Sequence, residues 1–207
     1  MQHAHQSKKN PVRMMLAGLA CLLLLASNGL AGPATGIKDQ IYQPAHLKPV
    51  DSELKVQVGD LAPEFVLPAV HGEAVTLSDY RGHQNVMLSF VPAAWTPVCS
   101  DQWPGYNILQ DLFNDHNTII LGITTDNIPS LHSWIQAMDG LWFPVLSDFW
   151  PHGRTAESYG LLRTDGTTER ALIFIDKQGL IRFIHVEDIN IRPPLEVVIQ
   201  GLRSLSD

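Results

Sequence analysis

The chain has 207 residues, 21 of them acidic and 14 basic, for a net charge of −7. That length suits one domain with a full hydrophobic core. The acidic balance argues against nucleic acid or an anionic membrane surface as a partner.

Residues 1–31 carry Lys8, Lys9 and Arg13 and no acidic residue. An apolar run follows from Met14 to Ala26, broken only by Gly18, with small residues at Gly29 and Ala31. A basic start, a short apolar core and small residues read as a secretory signal, with cleavage expected after Ala31. The apolar core is shorter than the ~20 residues that span a bilayer, so a retained anchor is the second choice. The mature chain is therefore expected to be exported, to the periplasm of a bacterium, and soluble. Cys21 lies inside the apolar run, ahead of four leucines, and reads as an apolar residue of the signal. The leader removes three basic residues and no acidic one, leaving a net charge of about −10.

Residues 32–56 contain Pro33, Gly36, Pro44 and Pro49 with weak periodicity, and read as an extended lead-in or tether outside the domain. The domain is expected over residues 57–207. Residues 64–70 and 75–77 read as a short N-terminal β-hairpin around a His71-Gly72 turn. Residues 78–82 look like one helical turn ending on glycine. Residues 85–91 are nearly all apolar, as in a strand buried on both faces. A helix is expected over about 96–114, kinked or broken early by Pro104-Gly105.

Residues 118–124 form another buried strand. Residues 129–138 form an amphipathic helix opened by Pro129. Residues 143–148 are short and extended, and 155–159 form a short helix ending on Gly160. Residues 170–176 and 180–186 flank a Lys177-Gln178-Gly179 turn as a hairpin, and 194–205 form the last helix. Alternating β and α elements with a final hairpin predict an α/β class and a central mixed sheet flanked by helices.

Cys99 is the only cysteine outside the expected leader. A lone cysteine is a buried hydrophobe, a partner for another chain or a reactive thiol. The layout puts Cys99 in the first turn of a helix, beyond the carboxyl end of a buried strand, where functional sites of α/β sheets gather. Unpaired N–H groups and the positive helix end favour thiolate there. Thr96 can set a hydroxyl beside the sulfur, and Pro92 shapes the loop. Taken alone, Arg170 would be an ordinary strand-edge arginine.

Pro92-x-x-x-Thr96-x-x-Cys99 resembles the Pro-x-x-x-Thr-x-x-Cys motif of the peroxiredoxins, from about residue 57 to the C-terminus. Gly59-Asp60-Leu61-Ala62-Pro63-Glu64-Phe65 resembles that family's opening. Glu169-Arg170-Ala171-Leu172-Ile173-Phe174-Ile175-Asp176 resembles its arginine-bearing strand. Ser147-Asp148-Phe149-Trp150-Pro151-His152-Gly153 is similar to the AhpE-like one-cysteine branch. The resemblance implies a thioredoxin-like fold and a thiol peroxidase without a cofactor. It also implies the roles. Cys99 would attack a peroxide and become a sulfenic acid. Arg170 would stabilise the thiolate and the polarised peroxide. Thr96 would hydrogen-bond the peroxide, Pro92 would shield the sulfur, and the N–H groups of Val98 and Cys99 would hold developing charge.

Two departures stand out. Position 104, where many two-cysteine relatives resolve the sulfenic acid, is proline, and no cysteine follows Cys99. An external thiol or a thioredoxin-like reductant is then expected, with a second subunit as another source. Position 102 is glutamine where several relatives have glutamate, and its role stays open.

The histidines show no paired spacing for a metal, so no metal site is expected. Trp95 is placed as a wall of the pocket; Trp103 and Trp150 are candidates for a homodimer interface. A different class, an exported thioredoxin-fold thiol–disulfide oxidoreductase, would want Trp-Cys-x-x-Cys. Here Thr96 replaces the attacking cysteine, and Arg170 stands where such proteins carry a proline. A non-catalytic redox-binding module is the third reading.

Overall fold

The computed structural model of the chain describes residues 36–205. Two of the apolar runs become neighbouring parallel strands, β3 (Asn85–Phe90) and β4 (Thr118–Thr124). Before them come a 3-10 turn at Ile37–Asp39, the hairpin strands β1 (Val66–Leu67) and β2 (Val75–Thr76), and a second 3-10 turn at Leu77–Tyr80. Helices α1 (Pro97–Asn107) and α2 (Gln110–Asp115) join β3 to β4. Then follow α3 (Ile128–Ala137), β5 (Val145–Ser147), α4 (Arg154–Tyr159), β6 (Arg170–Ile175), β7 (Ile181–Glu187) and α5 (Leu195–Arg203).

The main sheet runs β5-β4-β3-β6-β7. Its first three strands are parallel, while β6 and β7 are antiparallel to their neighbours. Side chains alternate between its faces, as the strand period of two requires. Met87, Ile120, Leu172 and Phe174 pack with Trp103, Phe113, Trp134 and Leu202, so α1, α2, α3 and α5 cover one face. Val86, Leu88, Phe90, Leu121 and Ile173 pack with Leu67, Leu77 and Tyr159, so the hairpin and α4 cover the other. β3 and β6 are buried at every position, which explains why their sequences are apolar apart from Asn85, Ser89 and Arg170.

Three expectations are corrected. The first is the helix break. Pro104 lies inside α1 without ending it, and the chain turns instead at Ile108 and Leu109. A proline ring here removes one helical hydrogen bond, to the carbonyl of Ser100. The helix stops at Asn107, whose side chain bonds the Gly140 carbonyl at 2.9 Å and accepts the Trp142 N–H at 3.4 Å.

The second is Trp103, expected at an interface. It is fully buried in the core, its indole N–H donating to Ser89 Oγ at 3.1 Å. A Cβ on Gly122 would come within 2.8 Å of its ring, so the bare glycine makes room for it. Trp150, the other candidate, is 69 % exposed.

The third is the lead-in. Residues 36–56 are no free tether but run along the domain. The N–H of Lys55 bonds the Tyr159 carbonyl at 3.1 Å, that of Asp51 bonds Glu169 Oε1 at 2.6 Å, and Arg163 reaches the Lys48 carbonyl at 2.9 Å. These are single hydrogen bonds to scattered partners, not a ladder, so the sequence shows no period. The segment crosses Gly160, where φ is +74° and a Cβ would overlap the backbone of Glu53 and Lys55.

The expected leader, residues 1–31, lies outside the described residues. Among the described residues no helix is long and apolar enough to cross a membrane.

Candidate active site

The site forms where β3 hands over to α1. After Phe90 the chain passes through Val91, Pro92 and Ala93, and the N–H of Ala94 bonds Asp126 Oδ2 at 2.7 Å. The same carboxylate oxygen accepts the Thr124 hydroxyl at 2.7 Å, which fixes the turn to the end of β4. Trp95 adopts φ +60°, a left-handed conformation rare for a bulky residue. That reversal aims the chain into α1, with Thr96 as its N-cap residue and Pro97 opening the helix. Cys99 is the third residue of α1 and fully buried. The Thr96 hydroxyl donates to the Ala93 carbonyl at 2.9 Å, which leaves its lone pairs to accept a further donor.

Arg170 opens β6. Because β6 is antiparallel to β3, with Ala171 opposite Phe90, the first residue of β6 lies just past the last residue of β3. Its Nη2 is 3.5 Å from Cys99 Sγ. Nη1 donates to Gln102 Oε1 at 2.6 Å, and Nε and Nη2 donate to the Ile189 carbonyl at 3.2 and 3.0 Å. Arg170 is 2 % exposed and pairs with no carboxylate within 4.0 Å among the described residues. Gln102 is held in turn by donating to the Tyr106 hydroxyl at 3.1 Å and to Ser89 Oγ at 3.4 Å. Burial pushes the Tyr106 phenol up to about 12, so it stays neutral near neutral pH.

A cleft of about 660 Å³ opens above this network. Pro92, Thr96, Val98 and Arg170 line its inner side, and residues 42–47 of the lead-in form the outer wall. Cys99 sits one side chain behind the cleft, next to Arg170. Trp95 was expected to wall the pocket, but it does not line the cleft; half-buried, it packs against the core instead. His152 is likewise not among the lining residues; its ring packs edge-on against Trp150 at 4.7 Å. Asp148 of the same segment accepts the N–H groups of Thr155 and Ala156 at 3.1 and 2.8 Å, which caps α4. Among the described residues no group of three or more His, Cys, Asp or Glu is placed to hold a metal ion.

A model of the AhpC/TSA family matches residues 58–184. The chain belongs to the AhpC/TSA family. It is 34 % identical over 133 residues to alkyl hydroperoxide reductase E of Mycobacterium tuberculosis, covering 64 % of this chain and 86 % of that protein. It is 31 % identical over 158 residues to the chloroplastic 2-Cys peroxiredoxin BAS1 of Hordeum vulgare, covering 72 % and 74 %. Among solved structures, the reduced 2-Cys peroxiredoxin of Plasmodium vivax superposes with a TM-score of 0.66 at 26 % identity, over 70 % of this chain and 80 % of that one. Mycobacterium tuberculosis AhpC gives 0.65 at 24 % identity, over 73 % and 99 %, a likeness of fold. This AhpC/TSA member thus has the thioredoxin-like fold and is a thiol-dependent peroxidase, an oxidoreductase.

The sequence left Gln102 without a role and passed over Ile189, Asn190 and residues 42–47. Gln102 had a signal: three residues beyond Cys99 on one helix, it shares the face of the sulfur. A backbone carbonyl such as that of Ile189 has none.

Proposed function

We propose that Cys99 is the peroxidatic thiol and works as the single redox cysteine of the mature chain. The observation that carries this is the 3.5 Å contact between Sγ and a buried guanidinium that forms no salt bridge within 4.0 Å among the described residues. A guanidinium N–H aimed at a sulfur is a charge-assisted donor to the anion that attacks and to the negative charge that develops on the peroxide.

In the proposed reaction the Cys99 thiolate attacks the terminal oxygen of hydrogen peroxide or an organic hydroperoxide. The S–O bond forms as the O–O bond breaks, giving a sulfenic acid and a hydroxide or alkoxide that takes up a proton. Arg170 donates to the peroxide oxygens, and the Thr96 hydroxyl accepts from the peroxide O–H. The N–H groups of Val98 and Cys99, free in the first turn of α1, stabilise developing negative charge. Pro92 keeps a competing donor out of the loop.

An external thiol or a thioredoxin-like protein then attacks the sulfenic sulfur and expels water. A second thiol releases Cys99 from the mixed disulfide. The absence of a cysteine after residue 99 supports this route. The leader-like residues 1–31 support export and periplasmic action; the mass of the secreted chain, starting at residue 32, tests that.

The decisive experiment is one equivalent of hydrogen peroxide, a sulfenic acid trap and peptide mass mapping. The adduct is expected on the Cys99 peptide and absent in Cys99→Ser. A Cys99→Ser protein that consumes peroxide as fast as wild type sinks the proposal.

A further inference from the structure

The carbonyl of Ile189 accepts from Arg170 Nε at 3.2 Å and from Nη2 at 3.0 Å, and Nη2 is the nitrogen that meets Cys99 Sγ. Ile189 is buried, yet it sits in a turn beyond the end of β7, where no sheet ladder fixes its peptide. That carbonyl belongs to the peptide unit that also carries the N–H of Asn190. The N–H donates to Asp188 Oδ1 at 2.9 Å. A peptide unit is planar, so holding its N–H aims its carbonyl. Asn190 adds a second hold through its side chain, whose Nδ2 donates to the same Asp188 oxygen at 2.7 Å.

Asn190 also joins this turn to the lead-in. Its Oδ1 accepts the N–H of Leu47 at 3.0 Å, and its Nδ2 donates to the Leu47 carbonyl at 2.9 Å. The N–H of Ile189 donates to the Pro49 carbonyl at 3.0 Å. Further along the lead-in, the N–H of Asp51 donates at 2.6 Å to Oε1 of Glu169, the residue before Arg170 in the chain. Residues 47–51 thus bridge the carbonyl that holds the guanidinium and the residue next to its own backbone. Core burial does not account for this course: from Tyr42 to Val50 only Leu47 is half-buried, and the rest are exposed. Residues 47–51 and 188–190 both lie outside residues 58–184, the span of the family match.

We propose that Asn190 and residues 47–51 form a brace that sets the Arg170 guanidinium against Cys99, with Asn190 as a positioning residue for the peroxide reaction. The inference rests on Cys99 being the peroxidatic thiol. Asn190 makes no hydrogen bond to the sulfur or to the guanidinium; it acts through the Ile189 carbonyl. Without its side chain the turn keeps its bonds to Asp188 and Pro49 but loses its grip on Leu47, and the carbonyl drifts from the guanidinium. A misplacement of about 1 Å in an oriented group costs up to ~10²-fold in rate.

The test uses the full chain. Two second-order rate constants are measured at Cys99, one for sulfenic acid formation with hydrogen peroxide and one for alkylation with iodoacetamide. Alkylation needs the thiolate and access to it but no donor to a peroxide, so the ratio of the two isolates what Arg170 does to the O–O bond. Asn190→Ala is expected to lower the peroxide-to-alkylation ratio about 10-fold. A general loosening of the fold would move both constants through thiol access and leave their ratio alone. In an Arg170→Ala background the same substitution is expected to change the ratio by less than about twofold, since nothing remains to be positioned. The inference is overturned if Asn190→Ala stays within about twofold of wild type, or if it lowers the ratio as much without Arg170 as with it. Where Arg170→Ala fails to fold, the ratio in the single variant decides. If wild type forms no sulfenic acid at Cys99, the proposed function fails instead.

Discussion

Gln102 Oε1 lies 2.6 Å from Arg170 Nη1, on the same guanidinium whose Nη2 meets Cys99 Sγ at 3.5 Å. A neutral amide thus aims the arginine. A carboxylate in that place would draw the positive charge toward itself. Glutamine accepts one N–H without neutralising the charge, and Tyr106 and Ser89 hold the amide in the orientation that presents its oxygen.

The guanidinium cannot be replaced by an ammonium. Its three nitrogens reach Cys99, Gln102 and Ile189 from one rigid plane. Arg170→Lys is expected to slow sulfenic acid formation by about 10²-fold, the scale of losing an oriented donor in a dry site. Rapid quench with peptide mass mapping measures it. A rate within a few-fold of wild type would mean that the fork geometry does not matter.

Gln102 carries a stability consequence as well. Gln102→Leu removes an acceptor from a buried charge, and hydrogen bonds to charged groups contribute about 1.5–3 kcal/mol each. A loss of that size is expected in chemical denaturation at pH 7, together with slower reaction of Cys99 with peroxide.

The lead-in is pinned by an acid whose titration gives a signed pH prediction. The Lys48 ammonium and the Thr164 hydroxyl and N–H hold the Asp51 carboxyl well below its ordinary value of 3.8. A folded pKa below the unfolded one stabilises the fold above about pH 4 and loses that contribution as pH falls toward the folded value. Proteolytic cutting within residues 42–55 is therefore expected to be flat from pH 7 to 5, measured with an acid-tolerant protease, and to rise below about pH 4. Asn in place of Asp51 should speed cutting at pH 7 about fivefold, the scale of one hydrogen bond.

Gly160 offers a steric test of the same segment. Gly160→Ala asks an alanine to take φ +74° and drives its methyl into the backbone at Glu53 and Lys55. The left-handed conformation alone costs about 1–2 kcal/mol. Both a lowered melting temperature and faster cutting of residues 42–55 are expected. An unchanged melting temperature would show that the lead-in does not rest on Gly160.

Much of the fold could be read from the chain because burial on both faces leaves nearly continuous apolar runs, as at β3 and β6. Trp103 shows how the helix faces could have been read better. It lies four residues after Cys99, hence on the same face, and that face is buried. The lead-in was illegible for the opposite reason, since its partners are single groups such as Asn190 and Glu169, far away in sequence. Pro92, Thr96 and Cys99 are close in sequence and show in a motif. Arg170 came only through family resemblance, because no local spacing joins two residues separated by 71 positions.

That separation ties reactivity to assembly. Arg170 reaches the sulfur only while β6 lies antiparallel on β3 with Ala171 opposite Phe90. A slip of one residue would turn every β6 side chain to the opposite face and carry the guanidinium away from the thiol. During synthesis the cysteine emerges long before its arginine, so a nascent or mispaired chain carries the thiol without the guanidinium. Under the proposed function, the acceleration of Cys99 oxidation above that of an unassisted thiol is therefore an assay of strand registration: a completed, correctly paired chain displays it and a mispaired one does not.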